Sequence, residues 1–165
     1  MQHPDAHIFD MTPDTLRAWG AERGMKPYRA DQILDWVYRK GVADPDEMSN
    51  LSAADREILR TGMTFESARP IRHQVATDGT QKILLQWETP DEGTQENLLH
   101  SGMQGISLPV DDPSRQTECV MIPTETRRTA CISSQVGCPV GCRFCASGLG
   151  GLDGNLSAGR IVEQA

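Results

Sequence analysis

Cys131-Ile-Ser-Ser-Gln-Val-Gly-Cys138-Pro-Val-Gly-Cys142-Arg-Phe-Cys145 is the stretch whose reading decides both fold and chemistry. Its last three cysteines stand four and then three positions apart, with Phe144 directly before the last. A four-iron cubane cluster needs a soft ligand at each iron, and thiolates are the usual supply. The run offers three, so a [4Fe-4S] cluster held by Cys138, Cys142 and Cys145 would keep one iron open to a small molecule. Such a cluster is a reactive centre rather than a plain electron carrier. Gly137, Pro139 and Gly141 suit a tight loop around it, since glycine accepts turns that a side chain forbids.

Two other readings compete. Structural zinc wants four ligands, usually as two Cys or Cys/His pairs. His100 stands 38 residues before Cys138, and no second ligand pair follows in the chain. A disulfide framework fits small secreted proteins, but five cysteines is an odd count. The opening Met1-Gln-His-Pro-Asp-Ala-His is polar and leads into no apolar secretion segment. Reduced thiols in the cytoplasm are therefore expected, and the cluster reading is preferred.

The 165 residues, 38% hydrophobic and 24% charged, suffice for one or two small domains. No run approaches the roughly 18 apolar residues that a membrane span requires, so no membrane partner is expected. Residues 8–62 read as helical. Thr12 caps a helix with Pro13 at its first position and Gly24 beyond its end. Ile33, Leu34, Val37 and Tyr38 recur at helical spacing before Gly41, and Ser52 caps a third helix through Leu59. Trp19, Trp36 and Tyr38 are expected to pack in that core. Residues 63–126 read as a β-rich connecting region, with strands over 71–75 and 82–88 flanking an Asp78-Gly79 turn. An acidic excursion covers 89–117, and a strand follows over 118–123. Residues 127–133 read as a further strand, the cysteine loop comes next, and Ser157 caps a last helix.

Five segments stand in one order: Tyr28-Arg29-Ala30-Asp31-Gln32-Ile33, Asp46-Glu47-Met48, Asp78-Gly79-Thr80, Glu118-Cys119-Val120-Met121-Ile122-Pro123, and Cys131-Ile-Ser-Ser-Gln-Val-Gly-Cys138. Together with the three-cysteine loop they resemble the RlmN/Cfr family of radical S-adenosylmethionine (SAM) enzymes, which methylate an adenine ring carbon in ribosomal RNA. The resemblance implies an α/β fold: a helical, RNA-contacting accessory domain over 8–62, a short β-hairpin region over 63–126, and then, over 127–165, the first strand, cluster loop and first helix of a radical SAM (β/α) barrel. Only twenty residues follow Cys145. A single βαβ unit takes about 30 residues or more, so the barrel is incomplete here. The chain is accordingly expected to be the N-terminal portion of a larger enzyme, inactive alone.

The same resemblance implies SAM and a [4Fe-4S] cluster as cofactors, with Phe144 shielding the cluster near the SAM adenine or simply packing in the loop. It makes Glu118 the proton acceptor facing the target adenine. It makes Cys131 the resolving cysteine, which forms a transient disulfide with a methyl-carrying cysteine outside this chain. C2 of adenine in large-subunit (23S) rRNA is the expected target, C2 modification being the more widespread branch, together with an adenine in the tRNA anticodon loop. The expected partners are rRNA, tRNA and an electron donor such as flavodoxin, and the full-length protein is expected to be a monomer. Two other classes stay open: a non-catalytic remnant that keeps RNA or partner binding, and another radical SAM enzyme with a different reaction.

Charge argues less directly. The net charge is −7, whereas nucleic-acid domains often carry a basic footprint. Between Leu16 and Lys40 there are six Lys/Arg against three Asp/Glu, and between Trp87 and Glu118 seven acids against one Arg. Basic helices could contact phosphates, and a solvated face explains the excess equally well.

Overall fold

The structure, a computed structural model, describes residues 4–88 and 115–165, so most of the acidic excursion lies outside the described residues. The chain forms two compact units, one helical and one built on a sheet.

The helical unit comprises residues 4–67 and 157–163. Helix α1, Pro13–Ala21, starts at Thr12, whose hydroxyl accepts from Thr15 N while the Thr15 hydroxyl accepts from Thr12 N. This reciprocal cap satisfies two otherwise orphaned amides. Helix α2, Tyr28–Leu34, runs on into a π-helical turn, Asp35–Arg39, and Gly41 beyond it takes a left-handed φ of 66°. Helix α3, Ala53–Gly62, begins where the Ser52 hydroxyl accepts from Asp55 N. Their inward stripes meet in one core around Ile8, Leu16, Ile33, Met48 and Leu59, each fully or almost fully buried. Trp19 joins this core and Trp36 borders it, but Tyr38 is 53% exposed. The π turn explains Tyr38: widening the helix rotates later side chains away from the stripe that a 3.6-residue period predicts.

Helix α4, Ala158–Val162, is capped by Ser157 and belongs to this unit. Gly159 N donates to the Asp10 carboxylate, and a Cβ at Gly159 would come within 2.8 Å of Asp10 and 2.9 Å of His7. Just past α4, the Glu163 carboxylate accepts from Ser67 N and Ser67 Oγ, both at 2.7 Å, and meets His7 Nε2 at 3.0 Å. Arg160, fully buried, donates from Nε to Ser67 Oγ.

The sheet unit is a four-stranded antiparallel sheet, β1 (Ala68–Val75), β2 (Gln81–Trp87), β3 (Gln116–Pro123) and β4 (Arg128–Cys131), in that spatial order. The β1–β2 turn is the expected Asp-Gly turn, with Gly79 at φ 83° and Asp78 Oδ1 accepting from Thr80 N. Leu85, Trp87, Thr117 and Cys119 line the buried face, while Glu118 points the other way.

The strand expected over 127–133 to open a parallel barrel is present as β4, but its partner is β3, antiparallel. The reason is the connection. Thr124 and Arg127 close a tight turn, with Thr124 N donating to Arg127 O at 2.8 Å, and a parallel crossover needs a dozen or more residues. A separate hairpin, β5 (Gln135–Gly137) with β6 (Leu152–Asn155), flanks the cysteine loop.

Because Glu163 supplies the acceptor for buried groups of Ser67 and the partner of buried His7, Glu163→Ala should cost at least about 2 kcal/mol. Urea unfolding of the variant against wild type measures it, and Glu163→Gln should lose less.

Candidate active site

The cysteine loop is held shut from its two ends. Cys138 N donates to Gly151 O at 2.9 Å, continuing the β5–β6 ladder into the loop. Gly137, at φ 77°, lies so close that a Cβ there would sit 2.0 Å from Gly151 O. Gly148 packs against Gly141 across the loop, and Cys145 N donates to Cys142 O at 3.2 Å. Only glycine fits at Gly137, by space and by backbone angle alike.

Cys138, Cys142 and Cys145 all lie on this loop as free, half-buried thiols. Hydrogen bonds from the Ser147 amide and hydroxyl, with a smaller one from Gly148 N, hold the Cys145 thiol below its ordinary pKa. Among the described residues, no group of three or more His, Cys, Asp or Glu side chains is gathered into a metal-holding arrangement. The donor set nevertheless suits an iron–sulfur cluster: three soft thiols on one glycine-folded loop, one already stabilised toward thiolate by N–H and O–H donors. Phe144 is 93% exposed at the rim of the loop.

The two other predicted residues come from the sheet. Glu118 on β3 pairs with Leu84, and Cys131 at the end of β4 pairs with Val120. Paired residues, and residues two apart on one strand, share a face. Glu118, Val120 and Cys131 therefore project from the same side of the sheet. Cys131 is exposed, as a reacting thiol needs to be. Cys119, pointing the opposite way, is buried, and that burial pushes its thiol pKa up.

Glu118 Oε1 meets Lys82 Nζ at 3.0 Å, and its backbone carbonyl accepts from Ser133 Oγ. Ser133 is clamped in turn by the Gln164 side chain, which accepts from Ser133 N and donates to Ser133 O. A cavity of about 560 Å³ opens beside these groups, bordered by Glu118, Ser133, Gln135, Cys138, Ser147 and Asp153 among others. It brings Glu118 and Cys138 to one space, whereas Cys131, Cys142, Cys145 and Phe144 are not among its lining residues. Sequence reasoning missed Lys82, Ser133 and Gln164. Lys82 had a legible signal, an opposite charge on a strand next to the turn, while Gln164 acts from 31 residues away.

Residues 6–64 match the ribosomal RNA large subunit methyltransferase N-terminal domain. A probable dual-specificity RNA methyltransferase RlmN of Thermotoga neapolitana is 40% identical over 96% of the chain and 39% of its own length. Its counterpart in Bacillus velezensis is 36% identical over 99% of the chain and 38% of its length. The crystal structure of a radical SAM methyltransferase from Sphaerobacter thermophilus superposes with a TM-score of 0.77 at 34% identity, covering 96% of this chain and 40% of that one. The chain is similar to RlmN-type radical SAM methyltransferases, and its residues 6–64 to their N-terminal domain. It spans about two fifths of the length of these relatives. The family's general cofactors are SAM and a [4Fe-4S] cluster. No helix among the described residues is long and apolar enough to cross a membrane.

Gly137→Ala should destabilise the hairpin by at least about 1 kcal/mol, from the left-handed backbone alone before any clash. Gly150→Ala, which meets nothing within 4 Å, is the matched control. Limited proteolysis of the 138–151 loop should speed up in the first variant and not in the second.

Proposed function

We propose that this chain is the N-terminal part of an enzyme that methylates C2 of adenine in large-subunit (23S) rRNA and in the tRNA anticodon loop, through a methyl-cysteine intermediate. The observation that carries the reading is the shared face of Glu118 and Cys131, an acid and an exposed thiol, with Glu118 also bordering the cavity that Cys138 lines. RNA as the substrate is supported by the relatives, which are probable RNA methyltransferases.

Cys138, Cys142 and Cys145 would hold the cluster, and the bound cluster with SAM supplies the radical that an unreactive ring carbon requires. Glu118 accepts a proton from the modified adenine. Lys82 Nζ, 3.0 Å from Glu118 Oε1, holds the carboxylate in position. Cys131 attacks as a thiolate the sulfur of the RNA-bearing cysteine, which lies outside this chain; the sulfur–carbon bond breaks with its electron pair going to the carbon on the base, that carbon takes up a proton to become the methyl group, and the disulfide stays on the enzyme. Phe144, on the loop rim, covers the cofactor. The stretch from β4 through the cysteine loop to α4 would open a barrel that later residues complete, and the chain alone would be inactive. A cytoplasmic, monomeric enzyme fed by a flavodoxin-type donor fits this chemistry.

Two experiments on the full-length protein test it. After anaerobic reconstitution, Cys142→Ala should lose the cluster absorbance while Cys131→Ala keeps it; stoichiometric zinc without iron would sink the cluster assignment. With RNA and SAM, Cys131→Ala should accumulate a covalent RNA–protein adduct on a denaturing gel. Glu118→Ala should slow methylation by about 10²–10⁴-fold with the cluster intact. Normal turnover by Cys131→Ala would remove its resolving role.

A further inference from the structure

The face of the sheet that bears Glu118 and Cys131 also bears cations, and an irregularity in β1 puts them there. Arg69 pairs with Gln86 and Arg72 with Leu84, so both stand in register with the Glu118 side of the sheet. Residues three apart on a regular strand point to opposite faces. Here the register shifts between Pro70 and Arg72, one extra residue is absorbed, and Arg69 and Arg72 end on the same face. Lys82, on that face too, is committed to Glu118. Arg72 is exposed, and among the described residues its side chain is in no ion pair or hydrogen bond.

Charge is divided between the two units in the same sense. The described residues of the sheet unit hold seven Lys/Arg against five Asp/Glu, while the helical unit holds nine against thirteen. Much of the basic charge in the helical unit is already paired: Arg17 with Asp14 and Asp31, Arg29 with Asp55, Arg39 and Lys40 with Asp35, Arg60 with Asp46 and Glu57. A polyanion gains more from a guanidinium that it does not have to pull away from a carboxylate.

We propose that the substrate RNA lies across this open sheet face, with Arg72 holding a backbone phosphate close to the target base. The inference rests on the reading of the protein as an RNA methyltransferase and adds where the strand runs. Arginine suits the task because its planar fork matches phosphate geometry and stays charged. The contact orients the strand and reads no sequence.

The test uses the full-length enzyme and a fluorescent RNA hairpin containing the target adenine, with binding followed by anisotropy over a series of salt concentrations. Losing one phosphate contact on single-stranded RNA lowers the log–log salt slope by about 0.7. R72Q should show that drop and R72K should not. R128Q, on the opposite face through its pairing with Pro123, and K26Q, in the helical unit, should keep the wild-type slope. An unchanged slope in R72Q, or an equal drop in R72K, R128Q or K26Q, overturns the proposal. Phenylglyoxal should modify Arg72 in the free enzyme and spare it in the RNA complex. An Arg72 protected already in the free enzyme means the protein's own chain covers the face, and overturns it as well. Wild-type protein that neither binds nor methylates RNA would overturn the underlying reading. Wild-type activity with an unmoved R72Q slope overturns this inference alone.

Discussion

A buried hydrogen bond from the Trp87 indole to Thr117 Oγ1, at 2.9 Å, ties β2 to β3 where both strands turn their apolar side inward. A slip of one residue between these strands would flip every side chain of one of them to the other face. Slipping β3 would bring Glu118 inward and expose Cys119, and would leave the Trp87 N–H without its buried acceptor. Burying an unpaired carboxylate costs far more than any contact it could gain there. The register is thus fixed by apolar burial together with cross-strand polar pairs, Trp87 with Thr117 and Gln116 with Gln86. The outward position of Glu118 follows from it, as does its meeting with Lys82, and Cys131 inherits the same side through Val120.

Much of this was readable from local chemistry. Thr12, Ser52 and Ser157 cap helices because each offers a short hydroxyl ahead of a helical run, and all three do so in the structure. The Asp78-Gly79 turn declares itself by the need for a positive φ. Elements held by distant partners left no such mark. The β5–β6 hairpin is invisible to periodicity, since Leu152-Asp-Gly-Asn155 has neither alternation nor β-branched residues, and it rests on the close approach of Gly137 to Gly151. The bulge before Arg72 and the π turn that turns out Tyr38 are one-residue irregularities inside otherwise regular patterns.

Charge counted along the sequence misleads for a related reason. The six-to-three basic excess between Leu16 and Lys40 is offset in space by acids outside that window, Asp14 on Arg17 and Asp55 on Arg29. The Arg17–Asp14 pair is exposed and adds little stability, since solvent screens it and ordering long side chains costs entropy, while the Arg29–Asp55 pair is half-buried. Their larger effect is on recognition: they lower the field that a polyanion would feel over the helices. In the sheet unit the β1 bulge turns two cations to the side where the acid and the thiol stand.

The cysteine loop carries the same separation of scaffold and function into the metal chemistry. Its backbone is fixed by the close approach of Gly137 to Gly151 and by amide hydrogen bonds at both ends, none of which involves a sulfur. The thiols themselves gain almost nothing from meeting one another, and as thiolates they would repel. Soft-metal coordination releases enough free energy to draw thiols together, and it takes them as thiolates. Cys145 already leans toward that form because Ser147 and Gly148 donate to its sulfur. The sequence therefore builds a frame that sets the three thiols four and then three positions apart, with Gly148 against Gly141 across it. The frame of the loop is thus specified by its glycines and amide hydrogen bonds, which is why the pattern was legible in sequence.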